Sequence, residues 1–165
     1  MPLSLMPLDR THAEQLAAGD LSLLSGAPNA DAVAAIVQDV ARAHAEPWIG
    51  YLAWDGRGAV IGTCGFKDAC RDGAVEIAYF TFLTSERQGW GGRMAATLVE
   101  IAWQSPQVTI IRAHTLPARN ASTRILERLG FALTGPIDDP MDGTVWRWEL
   151  RRGAIAAGRP GDGRR

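Results

Sequence analysis

Residues 75–102 read VEIAYFTFLTSERQGWGGRMAATLVEIA, and three signals follow one another in them. Val75–Phe82 reads as a strand. Gln88-Gly89-Trp90-Gly91-Gly92 is a glycine-rich loop. Met94, Leu98 and Ile101, with Ala95 and Ala102, then mark one side of an amphipathic helix. Glycines without a Cβ let the main chain come close to a phosphate. A helix start adds unpaired N–H donors and the positive end of the dipole. The stretch therefore predicts a seat for a phosphate-bearing ligand, although a plain glycine turn accounts for the loop equally well. It is not a nucleotide P-loop, because no Gly-Lys-Ser/Thr follows, and the spacing is not that of the dinucleotide fingerprint.

Working outward, Asp55-Gly56-Arg57-Gly58 and Arg71-Asp72-Gly73 are turn sequences. They divide Trp48–Trp54, Ala59–Phe66 and Val75–Phe82 into a three-strand meander. Upstream, residues 2–8 alternate as a first strand. Asp9 to Gly19 reads as a short helix. Val33, Ile36, Val37 and Val40 form the apolar stripe of a second helix, which Pro47 ends. Downstream, Val108–His114 is a β-branched strand. Asn120 is a helix N-cap ahead of Ile125, Leu126 and Leu129, and Gly130 is the stop. Phe131–Thr134 and Thr144–Leu150 are the last strands. In the latter, Trp146, Trp148 and Leu150 alternate with Val145, Arg147 and Glu149.

A chain of 165 residues with 47% hydrophobic and 21% charged residues suits one globular domain, so no disulfide, metal or partner is needed for stability. The net charge of −1 argues against nucleic acid as a partner. No stretch reaches the roughly 18 apolar residues of a membrane helix, and no signal peptide precedes the domain, so a cytoplasmic protein is expected. Cys64 and Cys70 are read as reduced thiols, with a disulfide as the alternative. His12, His44 and His114 show no metal spacing. Residues 1–150 are read as the domain. Residues 151–165, rich in Gly, Ala and Arg without periodicity, are expected to be a disordered tail.

Four segments occur in order: Glu76-Ile77-Ala78-Tyr79, Gln88-Gly89-Trp90-Gly91-Gly92-Arg93, His114-Thr115-Leu116-Pro117, and Asn120-Ala121-Ser122 through Leu129-Gly130-Phe131. Together they resemble the GNAT superfamily of acetyltransferases, and especially the branch containing the ribosomal-protein N-terminal acetyltransferases. The resemblance covers residues 2–150. It implies an α/β (α+β) single domain with a mixed, mostly antiparallel sheet of six to seven strands and about four helices. It also implies acetyl-CoA as cofactor and a small-molecule or peptide amine as acceptor. A homodimer is an assembly that small soluble proteins often adopt.

The resemblance further implies where the cofactor lies. Gln88, Gly89, Trp90, Gly91, Gly92, Arg93 and Met94 would hold its pyrophosphate, with Arg93 standing where the family has a small residue. The strand end at Phe80, Thr81 and Phe82 would splay from the strand over residues 108–114, take the pantetheine arm, and turn an N–H toward the thioester oxygen. Asn120 and Ser122 would contact the cofactor. Glu76 would take the amine's proton, or else be a structural strand residue. The tyrosine that many relatives use to protonate the departing thiolate is Leu126 here, which leaves Ser122 or water as donor. His114 is read as a packed or surface residue in preference to a site residue. Trp90 either packs or lies against a ligand. No cysteine aligns with these motifs, so direct transfer is expected. The alternatives are a non-catalytic acyl-CoA-binding module and a plain interaction domain.

Overall fold

A computed structural model describes residues 2–24 and 45–154. The helix expected around Val33–Val40 and the tail from residue 155 lie outside them. Seven strands form one sheet: β1 (Leu3–Leu8), β2 (Gly50–Asp55), β3 (Val60–Phe66), β4 (Ala74–Thr81), β5 (Ile110–Thr115), β6 (Ala132–Asp139) and β7 (Gly143–Arg151). Among the described residues three helices accompany it: α1 (Arg10–Ala17), α2 (Trp90–Gln104) and α3 (Ala121–Arg128). Single 3-10 turns occur at Ser22–Leu24 and Leu83–Ser85. The expected element order holds throughout the described residues.

The spatial order is β1-β2-β3-β4-β5-β7-β6. Every neighbouring pair is antiparallel except β4 and β5, which run parallel. The turns at 55–58 and 71–73 make β2–β3–β4 a meander, because short loops join antiparallel neighbours. The single parallel pair needs a crossover, and α2 supplies it.

The helices bury their apolar stripes on opposite faces. Trp90, Met94, Leu98 and Ala102 of α2 and Leu126 of α3 join Tyr51, Ile61, Val75, Ile77, Ile111, Trp148 and Leu150 in the larger core. Leu16 of α1 packs with Leu8, Leu24, Leu52, Val60 and Phe82 in a smaller one. Successive side chains of a strand point to opposite faces, so each strand serves both cores.

Local chemistry sets the helix ends. Asp9 Oδ1 accepts from the His12 N–H at 3.1 Å, and Asn120 Oδ1 accepts from the Thr123 N–H at 3.0 Å. In the second cap Thr123 Oγ1 accepts from the Asn120 N–H at 3.0 Å, which completes a reciprocal box. Such a cap contributes about 1 kcal/mol. The glycine-rich segment departs from expectation: α2 starts at Trp90, so Gly91 and Gly92 are first-turn residues and not loop. At the other end, β7 runs through Arg151. Arg152 then donates to the Val108 carbonyl at 2.8 Å and the Ser105 carbonyl at 2.7 Å, with its guanidinium over the Trp103 ring. Order therefore extends past the expected boundary at residue 150.

Candidate active site

The sheet opens in its middle. β4 and β5 pair from Ala74↔Ile110 to Ile77↔Ala113 and no further, although β4 continues to Thr81 and β5 to Thr115. Ala78–Thr81 and His114–Thr115 therefore form the two arms of a fork. One arm's polar main chain is free to face into it. The Phe82 N–H is taken by the Ile61 carbonyl and the Lys67 N–H by the Glu76 carbonyl. By the alternation of an antiparallel ladder, even-numbered β4 residues turn their main chain to β3, and Tyr79 and Thr81 turn theirs to the fork. Of the three residues expected to offer an N–H there, Thr81 is in place. Phe80 and Phe82 are directed the other way, and Phe82 is buried in the smaller core.

On the helix face, a pocket of about 780 Å³ lies between β4 and the N-terminal turns of α2 and α3. Tyr79, Phe80 and Thr81 form its floor, Gly89–Gly92 one wall, and Ser122, Arg124, Ile125 and Arg128 the other. Gly89 caps α2 in the left-handed region at φ 79° and offers no side chain to the first-turn N–H groups. Those donors stay available to a ligand. At Gly91 a Cβ would sit 3.2 Å from Ile125 Cδ1 and 3.5 Å from Thr81 Oγ1, so glycine keeps this narrow point open. Arg87 also lines the pocket at φ 62°, an unfavourable conformation for a residue with a Cβ.

Seven of the expected cofactor residues line this pocket: Phe80, Thr81, Gly89, Trp90, Gly91, Gly92 and Ser122. Five do not. Met94 is fully buried in the larger core, because its position on α2 belongs to the apolar stripe. The Trp90 indole is buried there too and donates from Nε1 to Gln88 Oε1 at 3.4 Å, which commits that amide oxygen. The Arg93 guanidinium lies over the Trp90 ring, 4.9 Å from its centroid. The Asn120 side chain is committed to its cap, and Phe82 is packed as described. Sequence reading passed over the cations Arg87, Arg124 and Arg128. The spacing of Arg124 and Arg128, one helical turn apart, was a readable sign.

The opposite face of the fork is built from side chains. Glu76 of β4 and His114 of β5 project there, because Val75, Ile77, Ile111 and Ala113 fill the helix-side core. Glu76 Oε1 lies 2.9 Å from Lys67 Nζ and 3.1 Å from His114 Nδ1. Asp139 Oδ2 is 3.9 Å from the same Nδ1, and Arg147 donates from Nε to His114 Nε2 at 3.4 Å. These contacts satisfy distance but not direction: Glu76 Oε1 and His114 Nδ1 are both buried without an aligned hydrogen bond. Burial lowers the His114 pKa, Glu76 opposes that shift, and Lys67 and Arg147 reinforce it. Backbone N–H groups of Met141 and Asp142 hold the Asp139 carboxyl below the usual range.

His114 is thus packed, its side chain only 9% exposed, and it is packed inside this charged cluster. The signal is strand alternation: Arg112 and His114 alternate with Ile111 and Ala113, and Arg112 is the register partner of Glu76. Tyr79 reaches from the strand toward α3, its hydroxyl 3.5 Å from the Ser122 carbonyl, and burial pushes its pKa up to about 12. Leu126 is wholly buried and offers the pocket no proton. Both cysteines are free, and burial pushes the Cys64 thiol up to about 12, which leaves it un-ionised at neutral pH.

Solved structures share this architecture. The aminoglycoside acetyltransferase AAC(6')-Ib in complex with coenzyme A and kanamycin is 21% identical. The match covers 96% of this chain and 100% of that one, at a TM-score of 0.68. Mutant forms of the spermidine/spermine N-acetyltransferase SpeG from Vibrio cholerae are 13% identical over 96% of this chain and 100% of that one, at 0.66. A GNAT-family acetyltransferase from Bacillus anthracis is 13% identical over 92% and 95%, at 0.63. No curated protein matches the chain. Among the described residues no helix is long and apolar enough to cross a membrane. The profile of the acetyltransferase (GNAT) domain matches residues 3–132, and that match, over a sheet forked between β4 and β5, makes this chain a member of the GNAT acetyltransferase family.

Proposed function

We propose that the protein moves the acetyl group of acetyl-CoA directly onto a primary amine. One observation carries the reading. The sheet forks just past the Ile77↔Ala113 pair, with an uncapped helix N-terminus and a cationic pocket on one side and the partly buried Glu76 carboxylate on the other.

The residues present fit the cofactor. The N–H groups of the first turn of α2 point at the pocket beside Gly89, Gly91 and Gly92, and suit pyrophosphate oxygens. Arg87, Arg124 and Arg128 add charge-assisted donors for further phosphate. When bound, acetyl-CoA supplies an acetyl group activated as a thioester. The Thr81 and Tyr79 main chain, facing the fork, supplies a donor for the thioester oxygen.

An amine near its reference pKa is mostly ammonium at neutral pH and must lose a proton before it attacks. Glu76 is proposed to take that proton, directly or through water. Ser122, whose hydroxyl belongs to the first turn of α3 at the pocket wall, is proposed as the donor to the departing sulfur. The Tyr79 phenol beside it is the second protic group within reach. The acceptor is an amine of a small molecule or of a protein N-terminus, the latter in keeping with the branch that the motifs resemble.

Thermal unfolding with acetyl-CoA, free CoA and ATP tests the site. A ligand at about 100 times its Kd adds roughly 2.7 kcal/mol to the folded state, a shift of several degrees for a domain of this size. Both CoA species should shift the transition and ATP should not. Release of free thiol is then read against a panel holding kanamycin, spermidine and a peptide with a free N-terminus. Binding with no thiol release on any amine would make the protein an acyl-CoA-binding module. No shift at all would end the cofactor reading.

A further inference from the structure

The fork holds a titratable side chain besides Glu76, that of His114. The His114 side chain is only 9% exposed, yet its Nδ1 has no aligned partner. Buried polar nitrogens are seldom left so, and such a group calls for an explanation. We infer that His114 is a positioning residue for Glu76: a neutral imidazole, protonated at Nδ1, that holds the carboxylate at the mouth of the fork.

Three observations carry this. First, place. His114 is the residue immediately past the last β4–β5 pair, Ile77↔Ala113, so its ring stands where the strands part. Glu76 is one residue before that point on the other strand. Second, tautomer. Arg147 is the register partner of His114 on β7, and its Nε lies 3.4 Å from His114 Nε2. A guanidinium can only donate, so Nε2 must keep its lone pair, and the proton of a neutral ring is then on Nδ1. Third, reach. Of the two carboxylate oxygens facing Nδ1, Glu76 Oε1 is the nearer at 3.1 Å, within hydrogen-bond distance though not aligned, whereas Asp139 Oδ2 at 3.9 Å is beyond it.

Charge agrees with a neutral ring. The groups facing it are Lys67 after β3, Glu76 on β4, Asp139 on β6 and Arg147 on β7, two of each sign. Burial then decides, and it lowers the His114 pKa. A cationic ring would be a competitor for the carboxylate that must take a proton. A neutral donor orients the carboxylate and leaves its charge in place.

The kinetic consequence rests on the acetyltransferase reading; the tautomer does not. The first test is therefore ¹⁵N NMR of the full chain labelled at histidine. The His114 signals are identified by their loss in His114→Asn. The expected pattern is protonated Nδ1 and bare Nε2 at pH 7, with an Nδ1 proton resonance that moves upfield in Glu76→Gln. A proton on Nε2, a cationic ring at pH 7, or no response to Glu76→Gln overturns the inference.

The second test is the pH profile of kcat/KM with whichever panel amine supports thiol release. His114→Phe should move the low-pH limb upward by about one unit, since loss of a donor makes the carboxylate easier to protonate. His114→Asn, whose amide N–H restores a donor, should return the limb toward wild type. Limbs unmoved in both, with kcat merely lowered, would mean that the ring only packs. Should His114→Phe fail to fold, the NMR of the wild type and of Glu76→Gln still decides. Failure of the acetyl-CoA reading shows itself separately, as no thermal shift.

Discussion

The two faces of the fork are built on different principles. The helix face is a main-chain site: an uncapped helix start, three glycines in four residues, and a rim of arginines. The opposite face is a side-chain site, where Lys67, Glu76, His114, Asp139 and Arg147 come from five separate stretches of chain. A main-chain site recognises what every cofactor molecule shares. A side-chain site can be re-lettered without disturbing the sheet. The first should therefore be broken by adding bulk and the second by removing a functional group.

Bulk gives the largest effect. Gly91→Leu should abolish the thermal shift with acetyl-CoA, weakening binding at least 100-fold, because its side chain must enter the gap before Ile125 and Thr81. The ligand-free protein should stay folded, since replacing a helical glycine favours the helix by about 1 kcal/mol. Titration of both proteins with acetyl-CoA checks this. A variant that binds normally would mean the pocket is not the cofactor site.

Next is the removal of a group on the opposite face. Glu76→Gln should lower kcat about 100-fold, in the range of a lost general base, while the acetyl-CoA shift stays at its wild-type size. Full turnover across pH would reassign Glu76 to a structural role and leave the fork without its base.

The rim of the pocket comes third. Arg124→Ala and Arg128→Ala should each raise the KM for acetyl-CoA about tenfold, in line with the loss of one charge-assisted contact, and leave kcat alone. The effect should shrink as salt rises. A fall in kcat instead would draw these arginines toward the chemistry.

The smallest effect is on stability. Burial lowers the His114 pKa from its reference of 6.5, so the unfolded chain takes up a proton first as pH falls. This contribution is whole above about pH 6.5 and is lost as pH drops below it toward the native value. The thermal midpoint of wild type should fall by no more than a few degrees between pH 7 and 5, and by less in His114→Asn. Asp9, Asp55 and Asp139 have lowered values, so the stability they add is lost only below about pH 4.

The same contrast governs what could be read in advance. The glycines of 89–92, the Asn120 cap and the 55–58 and 71–73 turns each act within a few residues, so they were legible as local signals. Glu76 was singled out through a family pattern, and its partners were not. Lys67, His114, Asp139 and Arg147 have no shared spacing. The expectation that Arg93 and Met94 meet the cofactor follows the loop of the family that the motifs resemble. Helical rotation sends them instead over the Trp90 ring and into the core.

The sequence by itself determined the order of elements, the meander, the helix caps and the glycine seat, because propensity, capping and alternation are short-range effects. Only the tertiary structure decided where β4 leaves β5, which main-chain groups face the gap, and that His114 meets Glu76. Those are matters of strand register. Register is set by how whole side-chain faces pack, and a shift of one residue would have turned Glu76 and His114 into the opposite core.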